Sequence, residues 1–195
     1  MEGGKFEVAN RSDFSDAKTI NTIEKILGPY YHTISVKPLS KYRYIRYISS
    51  EGEQCSVSEL EFYDENNEKL HGAIIGTHSV NATTSNAKVF DNDVDTFFEA
   101  ASDNSWVGLD LGEARQISKI RYLPRTAGYG IYEGHEYELF YWSGNEWCSL
   151  GRQTATSHLL QYEVPVNALY FLKNITKNRM YEMPFIIESG VQQWF

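Results

Sequence analysis

The sequence predicts an all-β protein, and two patterns together with one feature of the composition support that prediction. Short runs place apolar or aromatic residues at every second position, as strands with one buried face do. Turn signals rich in Gly, Asn, Asp and Ser separate these runs at intervals of roughly ten residues, which is the spacing of a β-sandwich or barrel. The chain also holds 14 Tyr, 10 Phe and 4 Trp against 3 Met, and aromatic residues favour pleated, half-buried surfaces.

The predicted strands follow one another along most of the chain. In order, they are TISVKP, YRYIRYIS, VSELEFYD, WVGLDLG, ISKIRYLP, YELFYW and LYFLKNI. The segment SDAKTINTIEKIL is the candidate for a helix, and its β-branched residues weaken that interpretation. We therefore expect nearly all regular structure to be strand.

An internal repeat divides the sequence. The run KFEVANRSDFSDAKTINTI, followed after a gap by YRYIRYI, parallels EYELFYWSGNEWCSLGRQT followed by LYFLKNI. Each copy has a strand, a polar turn, a second strand, a loop and a third strand, and further strands precede the second copy. We therefore expect residues 1–70 to be a partial β unit, the rear half of a domain, and residues 71–195 to be a complete β-sandwich. Because unpartnered strands leave an open edge, the partial unit should pack on the second unit, dimerise, or depend on upstream sequence.

Charge and hydropathy argue against two kinds of partner. The formal net charge is −8 and the longest basic run is KYRYIRY, so the chain offers no electrostatic footprint for a nucleic-acid backbone. No run approaches the roughly 18 apolar residues of a membrane-spanning helix, and MEGGKFEVAN does not resemble a secretory signal. We expect neither nucleic-acid binding nor membrane insertion. The two cysteines, Cys55 and Cys148, either pair or remain thiols, and the tendency of free Cys to be buried favours thiols.

The stretch VFDNDVDTFFEA, residues 89–100, is the candidate cation site. Asp91, Asp93 and Asp95 alternate ahead of Thr96, and calcium prefers hard oxygen ligands that such a turn supplies from side chains and backbone. Two alternatives remain open. One is a polar turn that hydrogen-bonds its own backbone. The other is a catalytic carboxylate pair, although glycosidases commonly hold their two acids on different strands, on either side of the sugar.

The candidate ligand site is the loop RTAGYGIYEGHEYE and the strand after it. Sugars stack their apolar C–H faces on flat rings and exchange hydrogen bonds with polar side chains, so a sugar-binding loop mixes both. Tyr129, Tyr132 and His135 lie among glycines that allow the loop to present them. Arg125, just before the loop, is either a ligand contact or structural. Trp142 immediately precedes the turn SGNE, and we expect it to be exposed there.

Motifs for zinc or catalysis are missing from the sequence. The 5 His show no H-x-x-x-H spacing, C-x-x-C does not occur, and neither does G-x-S-x-G or a glycine-rich phosphate loop. No nucleophile, base and orienting group form a recognisable set. We therefore expect that the chain is not an enzyme.

At VFDNDVDTFFEA, WVGLDLGEARQISKIRYLPR and YELFYWSGNEWCSLG, the chain resembles the discoidin family, also called coagulation factor V/VIII type C domains, which includes family-32 carbohydrate-binding modules. The resemblance covers most of residues 72–195, and YRYIRYISSEGEQCSVSELEFYD resembles the closing strands of a second such domain. It implies a galactose-binding-like jelly-roll β-sandwich, a structural calcium near the aspartate loop, and ligand binding by loops at one end. The chain is especially similar to discoidin-like domains appended to bacterial proteins described as chitobiases or transglutaminase-like proteins, which implies a secreted, periplasmic or cell-surface setting.

Carried over residue by residue, the resemblance assigns to the calcium site Asp91, Asp93 and Thr96. Asn92 stands where the family usually has glycine, and asparagine can also reach positive φ. The family often adds a glutamate from the last strand, but this copy has Phe185 where VSELEFY has Glu59. The alternative carboxylates are Glu182 and Glu188. The resemblance also places Trp106 and Trp147 against the core.

The leading hypothesis is a non-catalytic carbohydrate-binding module, joined in its parent protein to a catalytic domain that processes glycans. Its sugar site would keep that domain near a polymeric substrate and raise its effective concentration there. The class of glycan stays open. The alternative is a structural spacer or protein-interaction β-sandwich without a sugar site.

Overall fold

A computed structural model of the chain describes residues 1–25, 28, 30–37, 40–125, 130–177, 179–180 and 184–194, with only the backbone of residues 179, 180, 191 and 194. It confirms the predicted fold class, an antiparallel jelly-roll β-sandwich. The strands are β1 (Lys5–Ala9), β2 (Lys18–Thr22), β3 (His32–Ser35), β4 (Tyr42–Ile48), β5 (Gln54–Tyr63), β6 (Ala73–Gly76), β7 (Phe98–Asp103), β8 (Trp106–Arg115), β9 (Lys119–Pro124), β10 (Glu136–Trp142), β11 (Trp147–Thr154), β12 (Tyr170–Asn174), β13 (Arg179–Met180), β14 (Phe185–Glu188) and β15 (Val191–Trp194). Two short 3₁₀ helices cover Ala82–Thr84 and Asn86–Phe90.

The chain divides into two compact units, Met1–Gly128 and Tyr129–Phe195. The first unit has two antiparallel sheets, with strand orders β2-β1-β4-β8-β6 and β3-β9-β5-β7. In both sheets, strands from residues 1–70 pair with strands that follow them in the chain, β4 with β8 and β5 with β9. The N-terminal strands are therefore completed by the next segment of the same chain. The predicted domain boundary between residues 70 and 71 stays a prediction, because strands from before and after this boundary contribute to the same sheets.

The alternating pattern of the strands produces the core of the first unit. Each strand directs one side-chain face inwards, and apolar burial at these positions stabilises the unit by roughly 1.5–3 kcal/mol for each large side chain. Fully buried core residues include Phe6, Val8, Ile45, Val57, Leu60, Phe62, Val107 and Ile120. Gly108 in WVGLDLG permits the close approach of β8 to β4, since a Cβ there would lie 2.1 Å from the carbonyl oxygen of Ile45.

The second unit is an antiparallel sheet with the strand order β11-β10-β12-β14-β15, in which β13 also pairs with β12. Its small core is built around Leu139, Tyr170 and Phe185. Tyr137, two residues before Leu139 in β10, is fully buried as well. The second unit therefore buries apolar residues mainly on one side of a single sheet.

Two local expectations can be compared directly with the structure. The candidate helix SDAKTINTIEKIL instead contains β2, which pairs with β1, in keeping with its β-branched residues. Cys55 and Cys148 are free thiols, the first buried and the second half-buried. Burial raises the pKa of the Cys55 thiol to about 12. Within the described part of the chain, there is no helix with the length and apolarity needed to span a bilayer.

Candidate functional site

The aspartate stretch forms a tight loop between the second 3₁₀ helix and β7. The carboxylate of Asp91 accepts a hydrogen bond from the backbone N–H of Asp93 at 3.0 Å. The carboxylate of Asp93 accepts one from the backbone N–H of Asp95 at 3.2 Å. Asn92 has φ +59°, in the left-handed region that asparagine tolerates better than most residues. The loop therefore has the local hydrogen bonds of a polar turn, and the expectation for Asn92 is confirmed.

Four oxygen atoms converge on the hydroxyl group of Thr96. Both carboxylate oxygens of Asp91 lie 3.0 Å from Thr96 Oγ1. The carbonyl oxygen of Asp93 lies at 3.1 Å and that of Lys88 at 3.3 Å. A hydroxyl group has one hydrogen to donate, so it cannot satisfy all four acceptors at once. The loop thus concentrates carboxylate and carbonyl oxygens, which are the ligands that calcium takes.

Strand β5 contributes a further carboxylate beside this loop. Glu59 is 0% exposed, and neither of its carboxylate oxygens receives a hydrogen bond from any described residue. Burial, and after it the nearby Asp91 carboxylate, raises the pKa of Glu59 to about 9. A carboxyl group in such a place must be protonated or be neutralised by a cation, because an isolated buried charge is costly. Glu59 is the feature of this structure that best fits a bound cation.

The charges and ligand types around the loop define what it could bind. Lys88 Nζ lies 3.3 Å from Asp91 Oδ2 and partly neutralises that carboxylate. Among the described residues, no group of three His, Cys, Asp or Glu side chains could by itself hold a metal ion. A cation here would therefore rely on the carboxylates of Asp91 and Glu59 together with backbone carbonyl oxygens, a mixture that suits calcium.

A further strand follows each repeat and is counted with it from here on, VSELEFY in the first and MPFIIES in the second. Sequence reasoning missed Glu59 because it took this last strand from the second repeat. In that repeat, the corresponding position is Phe185, in β14 of the second unit. Of the two alternative carboxylates, Glu182 lies outside the described residues and Glu188 is an exposed residue of the second unit. The available signal was the glutamate of VSELEFY in the first repeat.

Arg125 has contacts within the first unit. Its guanidinium group forms an ion pair with Glu99 at 3.0 Å. The same group lies 3.8 Å from the centre of the Phe97 ring. These contacts match the structural interpretation of Arg125, and its role as a ligand contact stays a prediction.

Two predicted contacts in the described part of the following loop, Tyr132 and His135, pack against neighbouring residues of the second unit. Tyr132 is 3% exposed, and the centre of its ring lies 5.5 Å from that of His135. His135 Nδ1 lies 3.0 Å from Asn174 Nδ2. Tyr129 lies outside the described residues. The roles of these residues as sugar contacts stay predictions, and the Tyr132 ring has little exposed surface to offer a ligand.

Trp142 is exposed, as expected, and lies beside a second exposed tryptophan. Trp142 and Trp147 face each other as a cross-strand pair of β10 and β11, with exposed fractions of 39% and 40%. Their ring centres are 5.4 Å apart. Trp147 was expected in the core, and its place at the end of a hairpin strand next to the turn explains why it is at the surface.

Two half-buried phenylalanines extend this pair across the sheet. The Phe171 ring lies 5.7 Å from Trp147 and 6.1 Å from Phe140. We call Phe140, Trp142, Trp147 and Phe171 the aromatic face. Because side chains alternate along a strand, Glu138 lies on the same side of β10 as Phe140.

Polar groups border the aromatic face at Glu138. Its carboxylate accepts hydrogen bonds from Arg152 Nε at 3.0 Å and from Ser149 Oγ at 2.8 Å. The Ser149 hydrogen bond and then the Arg152 guanidinium hold the pKa of Glu138 below its ordinary value. The face therefore combines flat rings with a charged carboxylate and a guanidinium group.

The corresponding face of the first repeat is covered. Phe14, in the loop of residues 10–17 between β1 and β2, is 7% exposed. Its ring packs against Tyr44 and Trp106 at centre distances of 5.9 and 5.3 Å. In the second repeat, residues 143–146 alone join β10 to β11. A turn of that length is too short to fold back over the sheet, which explains why the aromatic face is exposed in one repeat and not in the other.

Residues 74–184 match the family model of the F5/8 type C domain, over more than half of the chain. The chain belongs to the F5/8 type C domain family. This is the family that the aspartate loop and the strands WVGLDLG and ISKIRYLP predicted. Comparison with curated proteins and with solved structures gives no match.

F5/8 type C domains are commonly carbohydrate- or protein-binding modules and are typically non-catalytic. They usually occur in extracellular or secreted proteins. The F5/8 type C match begins in β6 and ends just before β14. It therefore joins the strands of residues 73–124 to the second repeat, whereas in the structure those strands pair with the first repeat.

Proposed function

We propose that this F5/8 type C protein is a non-catalytic carbohydrate-binding module and that the aromatic face contacts the sugar. The observation that carries the proposal is the exposed cross-strand pair of Trp142 and Trp147. Rings of this kind stack against the C–H faces of sugars. The neighbouring Glu138 and Arg152 supply a charged acceptor and a charged donor for hydroxyl groups.

The shape of the aromatic face favours a polymeric ligand over a small one. Its four rings lie along neighbouring strands on one side of a sheet, so a chain of sugar rings could run across several of them. Exposed aromatic clusters are unusual on soluble proteins without a binding role. Each ring contributes a modest contact, and the sum suits a weak, reversible site.

A weak site is useful when it is attached to something else. In the parent protein, the module would hold a glycan-processing catalytic domain close to its polymeric substrate, and affinity would arise from the raised effective concentration. A bacterial chitobiase-like parent in the periplasm, at the cell surface or outside the cell is the setting that agrees with this function.

Calcium has a structural role in this proposal. Asp91 and Glu59 supply carboxylates, Lys88 and Asp93 supply carbonyl oxygens, and Thr96 supplies a hydroxyl group. The support is the buried carboxyl group of Glu59, which receives no hydrogen bond from the described residues, beside converging loop oxygens. The ion would neutralise Glu59 and fix the loop against β5.

A glycan array on the purified chain tests the proposal, run once with calcium and once with chelator. We expect binding to at least one glycan class, and a loss of about tenfold or more in affinity for Trp142→Ala, as for an aromatic anchor. Leu159→Ala is the matched control, because Leu159 is 69% exposed in the same unit but outside the aromatic face. A folded protein that binds no glycan would instead favour the spacer or protein-interaction function.

A further inference from the structure

The two repeats have the same strand register as well as similar sequences. In the first, Phe6 pairs with Tyr47. In the second, the corresponding residues Tyr137 and Asn174 pair with each other. All four are at most 1% exposed. The pairs two residues away agree too, Val8 with Ile45 and Leu139 with Leu172. Each repeat therefore builds the same three-stranded framework.

The repeats differ at the far edge of their third strand. In the first repeat, β4 pairs with β8 continuously from Arg46↔Gly108 to Ile48↔Trp106, with further pairs before them. In the second repeat, the pairs on the far edge of β12, within the described chain, are Tyr170↔Phe185, Lys173↔Met180 and Asn174↔Arg179. Short segments of the same repeat thus occupy an edge where the first repeat has a long strand.

The second repeat also buries its apolar residues less completely. Of the seven exposed large apolar side chains among the described residues, five lie in the second unit. The first repeat acquires its second sheet from β7 and β9, which flank β5. In the described residues of the second unit, β14 has neighbours only within its own sheet.

One segment of the chain is suited to both repeats. Residues 73–124 complete the first repeat in the structure. The family model instead matches almost all of this segment together with the second repeat, as one domain. The chain therefore holds two rear halves and one front half.

We propose that residues 73–124 can complete either repeat, so that the far edge of β12 is an interaction surface for β8 of the same chain, which would displace β13 and β14 from that edge. The two strand arrangements exclude each other, because one edge of β8 pairs with β6 and only the other edge is left for either β4 or β12. If β12 takes the register of β4, Leu109 pairs with Leu172 in place of its present partner Ile45. Gly108 would face Lys173 in place of Arg46, and its missing Cβ again permits close approach.

Hydrogen exchange measured by mass spectrometry on the full chain tests this proposal, with Ile45→Asp as the perturbation. Ile45 is 0% exposed in the core beside β8, so a charge there disrupts the first arrangement. We expect β4 peptides to lose protection, β12 peptides to exchange at least about tenfold more slowly than in the wild type, and β8 to stay protected. Exchange of β8 at the rate of an unfolded segment would overturn the proposal, since it would show that residues 73–124 have no second partner.

Leu172→Asp is the matched variant at the corresponding position of the second repeat. It should leave β4 and β8 as protected as in the wild type, while removing the gain at β12 when combined with Ile45→Asp. Persistence of the β12 gain in that double variant would also contradict the proposal.

Disulfide capture gives an independent test, in a Cys55→Ala, Cys148→Ala background that also carries Ile45→Asp. Cysteines placed at Leu109 and Leu172 should form a cross-link within one chain under mild oxidation, at least about tenfold faster than the same pair without Ile45→Asp. An equal rate in both backgrounds would show that the second pairing is not formed.

Discussion

Glu59→Gln is the most informative change at the aspartate loop. The side chain keeps nearly the same size and loses its ability to ionise, in a place that is 0% exposed and where the carboxyl group receives no hydrogen bond from the described residues. In the wild type, burial and the Asp91 carboxylate raise the pKa of Glu59 from 4.5 to about 9. We therefore expect this substitution to remove both a pH dependence of stability and the response to calcium.

The sign and size follow from proton linkage. Between the two pKa values, the folded state retains a proton that the unfolded state has released, so this contribution is fully present below pH 4.5 and is lost as pH rises towards 9. At about 1.36 kcal/mol for each pH unit, the free energy of unfolding in chelator should fall by up to about 4 kcal/mol between pH 5 and pH 8. Calcium at 100 times its Kd would restore about 2.7 kcal/mol.

Urea unfolding at pH 5, 6.5 and 8, with chelator or with calcium, measures these quantities. Glu61→Gln is the control on the same strand. Although burial opposes it, the hydrogen bond from Tyr63 and the charges of Lys69 and Arg121 hold the pKa of Glu61 below its ordinary value. Glu61→Gln should lower stability equally at pH 5 and pH 8 and keep the calcium response. A wild-type free energy of unfolding that stays constant with pH in chelator, or a full calcium response in Glu59→Gln, would refute the reasoning.

Three further predictions follow from the same contacts. Gly108→Val should lower the free energy of unfolding by about 3 kcal/mol or more, because its Cβ would lie 2.1 Å from the Ile45 carbonyl oxygen; a urea midpoint within error of the wild type would contradict this. Trp147→Ala should weaken glycan binding about tenfold in calorimetric titration yet change stability by less than about 1 kcal/mol, since Trp147 is 40% exposed, and Leu159→Ala should change neither. Calcium should increase hydrogen-exchange protection of β4 relative to β12, because the first repeat brings Glu59 to the loop and the second has Phe185 at that position. Bound calcium should therefore favour the arrangement in which β8 pairs with β4, and a shift in favour of β12 would count against the proposed calcium ligands.

The strands were predictable because their signal is local. In YRYIRYI, aromatic and β-branched residues fill every position except the two arginines, and β4 forms there with Tyr42, Tyr44 and Ile45 buried. The candidate helix failed on the same principle, since its β-branched residues prefer an extended backbone. The aspartate loop was also readable from its own residues, including the left-handed conformation of Asn92.

The partners of those strands were not predictable from local pattern. Glu59 reaches the aspartate loop only because residues 73–124 pair with the first repeat, and two repeats of similar sequence offer the same pairing edge. The exposure of Trp147 depends on the length of the turn before it, compared with the longer loop that carries Phe14 in the first repeat. These are comparisons between distant segments, which alternation within one strand does not encode.

Affinity electrophoresis through native gels that contain soluble polysaccharides tests the central claim most directly. If the aromatic face binds glycans, at least one polysaccharide should retard the wild type and Leu159→Ala equally, and it should retard Trp142→Ala much less. Equal retardation of Trp142→Ala and the wild type would show that the aromatic face is not the sugar site.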